Sequence, residues 1–277
     1  MRNRSIIVIK IIAIDIDKTL LTSQNELAPA TIKAIKAATA QGIKVVLSTG
    51  RPLIGVTAYL QQLGLDNQAA EYVLTFNGAS VATTAGNVLT EEALDYADYI
   101  ELEALARRLE LHFQIENNER LYTANRDIGE YTIYESNLVG IPVSYRTPEE
   151  MRDVLMPKGM FIDQPELITA ALAQKTLFAP FTQRFNFMRS APFFLEVTRK
   201  NVNKGNALAK LVEQLGLTAA NVMAIGDQGN DLSMIEYAGT GVAMGNAIDS
   251  VKTAAQHITT DNDHDGVAQA IEKLALN

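Results

Sequence analysis

Unbroken apolar runs alternate, at both ends of the chain, with stretches whose apolar positions recur every three or four residues. Ile6 to Ile16 is rich in Ile and Val, which suits a strand buried on both faces of a parallel sheet. Pro29 then opens "PATIKAIKAATAQG", where Ile32, Ile35 and Ala38 form one stripe and Gly42 stands where a C-terminal cap belongs. "IKVVLSTGR" reads as a second strand ending in small polar residues. A helical pattern runs from about Leu53 to Leu63 and stops at Gly64. "YVLTFNGASV" is a third strand running into an Asn-Gly turn. This order predicts a doubly wound α/β sheet.

The middle differs. Between Gly86 and Arg189 come short strand-like pieces ("HFQIEN", "RLYTAN"), helical pieces ("YIELEALARRLEL", "PELITAALAQ") and aromatic or Pro-containing segments. This predicts an inserted α+β domain over 86–189, with residues 1–85 and 190–277 forming a discontinuous α/β core. After it, "FFLEVT" reads as a return to the core, followed by the amphipathic "NKGNALAKLVEQLGL" and the strand–loop–helix "NVMAIGDQGNDLSMIEYAG". "TGVAMGNA" is a short strand and turn, and the last residues from Ser250 carry helical periodicity. No repeat or low-complexity tract stands out.

Composition narrows the functional classes. The 277 residues carry a net charge of -8, which argues against a nucleic-acid partner held by bulk electrostatics. It leaves room for a small anionic substrate at a locally positive site. There is no cysteine, hence no disulfide and no thiol nucleophile, in keeping with the cytoplasm. His112, His257 and His264 are far apart in sequence and read as surface or packing residues, so a divalent metal would rest on carboxylates, as magnesium does. Met1 to Lys10 faintly resembles a signal peptide through Arg2 and Arg4. The run is broken by Lys10, has no small-residue cleavage site and is too short to cross a membrane, so it reads as a strand.

Four polar clusters directly follow apolar strands: Asp15-Ile16-Asp17, Ser48-Thr49-Gly50, Lys204, and Gly226-Asp227 through Asn230-Asp231. Singly, each is a common turn, cap or solvated lysine. Together they predict one site, because ligands of open α/β sheets bind at the carboxyl ends of the strands. A carboxylate at Asp15 can attack a phosphoryl group. Asp17, on the same side of an extended segment, can move protons. A cation shared with Asp227 would offset their repulsion. Thr49 and the Gly50 amide can donate to phosphate oxygens, and Lys204 can stabilise developing charge and orient Asp15. Asn230 and Asp231 can anchor the phosphate, the lysine or the metal. Asn77-Gly78 reads as a turn first and a substrate contact second.

These motifs resemble those of the haloacid dehalogenase (HAD) superfamily: "DIDKTL" its first, "LSTGR" its second, Lys204 in "NVNKGNAL" its third and "GDQGND" its fourth. The long insertion resembles the C2B cap of the Cof-type subgroup, and the resemblance runs nearly end to end. It implies a Rossmann-like core with an α+β cap and a Mg2+-dependent phosphatase of small phosphorylated metabolites, most plausibly sugar phosphates. Asp15 would be the nucleophile and a metal ligand. Asp17 would be the acid/base and give its backbone carbonyl to the metal, with Asp227 the third ligand. Ile16 through its backbone, Thr49, Gly50, Lys204 and Asn230 would hold phosphate. The cap would close over the site and read the rest of the substrate. The alternatives are a phosphomutase of the same superfamily and a non-catalytic phospho-metabolite binder. Lys18 departs from the pattern, which has glycine there, so the bend after the two acids either strains a lysine or differs. Tyr122, Tyr131 and Tyr134 are core residues first and sugar contacts second.

Overall fold

The computed structural model describes residues 8–276, so the expected strand residues 6 and 7 lie outside the described residues. The chain divides into two compact units. The first holds the residues up to Gly50, Val56–Thr90 and those from Asn203 onward; the second holds Arg51–Gly55 and Glu91–Val202.

Strands β1 (Ile11–Asp15), β2 (Lys44–Ser48), β3 (Tyr72–Thr75), β4 (Ser80–Thr83) and β5 (Val88–Glu91) come first in the chain. The second unit carries β6 (His112–Glu116), β7 (Leu121–Thr123), β8 (Val143–Tyr145), β9 (Lys158–Ile162), β10 (Phe185–Ala191) and β11 (Phe194–Arg199). The chain ends with β12 (Val222–Gly226), β13 (Thr240–Ala243) and β14 (His257–Ile258).

In the first unit the sheet order is β14-β13-β12-β1-β2-β3-β4-β5. From β14 to β3 every pair is parallel, and β4 turns back antiparallel to β3. All five residues of β1 are buried, as a central strand covered on both faces requires. The helix Pro29–Ala40 starts with Pro at its first turn, and Thr57–Leu63 ends at Gly64, whose left-handed φ of 74° no β-carbon opposes. The helix Lys204–Gln214 is capped by Asn203, whose side chain accepts from the Asn206 amide.

Two expectations are corrected. The chain does not return to the core at residue 190. β10 and β11 pair antiparallel with each other, β11 pairs with β9, and the second unit runs to Val202. An apolar alternating run cannot itself say which of two sheets it joins. The periodicity from Ser250 also is not one helix. Asp249–Ala254 and Gly266–Leu274 are helical, and β14 and the polar stretch 259–265 separate them.

The second sheet has the order β10-β11-β9-β6-β7-β8. Residues on one face (Phe113, Ile115, Phe161, Leu195 and Val197) pack with Tyr99, Leu102 and Leu105 of the helix Tyr96–Arg108. Tyr122 lies in this core, Tyr131 stacks on Phe193 at 4.4 Å, and Tyr134 is half-exposed. The opposite face mixes an apolar cluster of Met160, Ile162 and Phe194 with buried polar residues: Glu116 stands opposite Lys158 in register, and Gln114 and Glu196 flank Met160. Lys158 Nζ lies 3.0 Å from Glu116 and 3.7 Å from Glu196. Burial pushes the Glu116 carboxyl up to about 8, Lys158 opposing and Glu135 adding to the rise. Burial alone would lower Lys158, but the charges of Glu116, Glu196 and Glu135 outweigh it and hold the ammonium above its ordinary range.

After β1 the chain folds into a tight turn, Ile16–Leu20, in which the Leu21 amide donates to Ile16 O. Lys18 sits there at φ 64°, ψ 11°, so the lysine does adopt the left-handed bend. The bend is braced from the far end of the chain. Asn246 Nδ2 donates to Lys18 O at 2.9 Å, Asn262 Nδ2 donates to Leu21 O at 3.0 Å, and Ser23 donates twice to Asp263.

Two predictions follow from these features. Lys18 is exposed and strained, so Lys18→Gly is expected to stabilise the protein by roughly 0.5–1 kcal/mol, the strain relieved less the entropy that glycine costs. A urea midpoint that fails to rise would show that the turn stores no strain. At Glu116 the native state keeps a proton that the unfolded chain sheds near its ordinary 4.5. The resulting stability is complete below about 4.5 and is lost as pH rises to about 8. Relative to wild type, Glu116→Gln should remove a decline on the order of 1 kcal/mol per pH unit across that window. Parallel stability curves for the two proteins at pH 5 to 8 would refute it.

Candidate active site

β12, β1 and β2 are adjacent and parallel, so their carboxyl ends lie on one edge of the first sheet. Asp15 is the last residue of β1, Ser48 the last of β2 and Gly226 the last of β12. Lys204 opens the helix that follows Asn203. Its side chain is fully buried, and its ammonium donates to Asp15 Oδ1 at 2.5 Å and to Asp231 Oδ1 at 2.7 Å. Three segments far apart in sequence therefore meet at one nitrogen.

The loop after β12 is folded around Asp231. Its Oδ2 accepts from the amides of Asp227 at 2.9 Å and Gln228 at 3.0 Å. Asp227 in turn accepts from Thr19 Oγ1 at 2.9 Å and from Gln228 Nε2 at 3.2 Å. The role of Asp231 thus resolves toward holding the lysine and shaping the loop, since both of its oxygens are engaged by protein donors. Thr19 is a partner the sequence reading missed. It sits in the Ile16–Leu20 turn, whose bend and not any spacing in the sequence brings it to Asp227.

One oxygen from each of Asp15, Asp227 and Asp231 lies within 4.8 Å of the others. Burial raises the Asp15 carboxyl well above the ordinary range, the charge of Asp231 adds to this, and Lys204 only partly offsets it. Asp227 is pushed up to about 6, again by burial first and Asp231 second. Lys204 goes the other way: burial would lower it, but Asp15 and Asp231 hold it above its ordinary range. Three buried acids facing one ammonium leave the cluster short of positive charge. That shortage and an all-oxygen donor set fit a hard divalent cation such as Mg2+. With Asp231 engaged by protein donors, Asp15 and Asp227 are the two acids of the group that could serve as ligands. The Asp17 side chain is exposed and outside this group, which fits a proton carrier open to substrate.

Of the expected phosphate-holding residues, Thr49 and Asn230 are joined through Asn77. Ile16 and Thr49 are buried. The Thr49 amide donates to Leu74 O at 2.9 Å, and its carbonyl accepts from the Asn77 amide at 2.8 Å. Asn230 Nδ2 donates to Asn77 Oδ1 at 3.1 Å.

Comparison with known proteins agrees with this geometry. The haloacid dehalogenase-like hydrolase family matches residues 12–271. The Bacillus subtilis protein YxeH, provisionally named a phosphatase, is 44% identical over 269 residues, covering 96% of this chain and 98% of its own. The 5-amino-6-(5-phospho-D-ribitylamino)uracil phosphatase YcsE of Bacillus subtilis is 34% identical, covering 97% of this chain and 96% of its own. The crystal structure of a haloacid dehalogenase-like hydrolase from Bacteroides thetaiotaomicron superposes with a TM-score of 0.86 at 31% identity, covering 96% of this chain and 99% of that one. Strand order, buried acids and sequence kinship converge: the chain belongs to the haloacid dehalogenase-like hydrolases.

Proposed function

We propose that the chain is a Mg2+-dependent phosphatase of small phosphorylated metabolites, sugar phosphates foremost, working through an aspartyl-phosphate on Asp15. The observation that carries this reading is the buried ammonium of Lys204 bridging Asp15 and Asp231 at the carboxyl edge of the sheet. A relative whose named substrate carries its phosphate on a ribityl chain supports the sugar-like preference.

In this mechanism an Asp15 oxygen forms a bond to phosphorus as the ester P–O bond breaks. Asp17 gives its proton to the departing oxygen, which leaves as an alcohol. Asp17 then takes a proton from water, the hydroxide oxygen attacks phosphorus, and the P–O bond to Asp15 breaks to release phosphate. Lys204 holds Asp15 in place and opposes the negative charge that accumulates. Ile16 through its backbone, Thr49, Gly50, Lys204 and Asn230 hold the phosphate oxygens. Asp15, Asp227 and the backbone carbonyl of Asp17 would hold the magnesium ion, which when bound would supply the positive charge that the buried acids lack.

Phosphate release from a panel of sugar phosphates and other small phosphoesters tests the reading. Release should require magnesium, stop with chelator and fall to background in Asp15→Asn. Asp17→Asn should lower kcat by about 10²–10⁴-fold, the usual worth of a positioned acid/base. Folded wild type that releases no phosphate from any of them, or Asp15→Asn that keeps its rate, would refute the proposal.

A further inference from the structure

The Asn77-Gly78 segment between β3 and β4, which reads as a turn first and a substrate contact second, does more than reverse the chain. Phe76, Asn77 and Gly78 have φ values of 51°, 56° and 94°, three left-handed residues in succession. Phe76 is fully buried in that conformation, and non-glycine residues enter it at a cost of about 1–2 kcal/mol each. A type of turn this costly persists only where surrounding contacts impose it.

The contacts are with the phosphate-holding set. The Asn77 amide donates to Thr49 O, which ties the turn to the Ser48–Gly50 loop. Asn77 is 7% exposed, and its side-chain oxygen accepts from Asn230 Nδ2 at 3.1 Å. That bond fixes which way the Asn77 amide points. Its nitrogen lies against Gly50, 3.1 Å from where a β-carbon there would stand. At Gly78 a β-carbon would stand 2.5 Å from Asn203 O, the residue directly before Lys204. One turn therefore abuts the loop after β2, the loop after β12 and the start of the lysine helix.

We propose that Asn77 is a positioning residue of the phosphate site, its side-chain amide holding Asn230 on one side and the Thr49-Gly50 loop on the other. This rests on the phosphatase reading above. The amide spans two loops that the sheet alone does not connect, so it sets their separation to fit one phosphate group.

Asn77→Gly isolates the claim. Glycine takes a φ of 56° without strain and keeps the backbone donor to Thr49, so only the amide is lost. Orthophosphate binding in the presence of magnesium, read by calorimetry, should weaken about tenfold or more, the loss of a buried polar anchor. KM should rise more than kcat falls, with the thermal midpoint little changed. The double variant with Asn230→Ala should lose clearly less orthophosphate affinity than the two single losses combined, because the two residues share one contact. Independent, additive losses, or Asn77→Gly binding phosphate as wild type does, would overturn the assignment while leaving the phosphatase reading intact. Wild type that neither binds orthophosphate nor releases it from any ester would overturn both.

Discussion

The site depends on one buried ammonium. Lys204 is inaccessible to water, and such a group survives as a cation only with partners at contact distance. Its partners are Asp15, at the end of β1, and Asp231, in the loop after β12. Removing one side of such a pair costs about 3–5 kcal/mol, so the interaction constrains three distant segments at once. The parallel order β12-β1-β2 makes the meeting possible, since it sets successive strand ends side by side. The acids then outnumber the cation. The same arrangement that holds Asp15 in place leaves room for a second positive charge.

Much of this was legible in the sequence, for a physical reason. Strands buried on both faces must be apolar throughout, so Ile11–Ile14 and Val222–Ile225 announce themselves, and the polar residues at their ends stand out by contrast. What could not be read was pairing across loops. Asp231 spends both oxygens on Lys204 and two amides, and Thr19 reaches Asp227 across the chain. Neither follows from spacing. The division at residue 190 failed likewise: β11 has the composition of a core strand, and only its register with β9 assigns it to the second sheet.

The bend after Asp15 illustrates how a departure from a family pattern is absorbed. Lysine at position 18 takes the left-handed conformation that glycine would take freely, and its carbonyl is held by Asn246. Asn262 holds the exit of the same bend at Leu21. The cost falls on the backbone of an exposed residue, while Asp15 and the Thr19 donor on either side keep their partners. Strain is tolerated where neighbouring contacts over-determine the turn.

The second unit supplies the control for reading charge as function. Lys158 is as deeply buried as Lys204, sits against Glu116 and Glu196, and is raised for the same reason. Glu116 is perturbed in the same direction as Asp15. Perturbed acidity therefore marks burial with partners, and function needs a further criterion. Topology provides it. Lys158 and Glu116 face each other in register within an antiparallel pair, where cross-strand partners lie directly opposite. Asp15, Lys204 and the loop after β12 instead come from separate segments at the carboxyl edge of parallel strands, where an open α/β sheet places its ligands. An exposed acid, Asp17, two residues from the buried Asp15 adds the second mark. Lys158 and Glu116 are both buried and have no such neighbour in register.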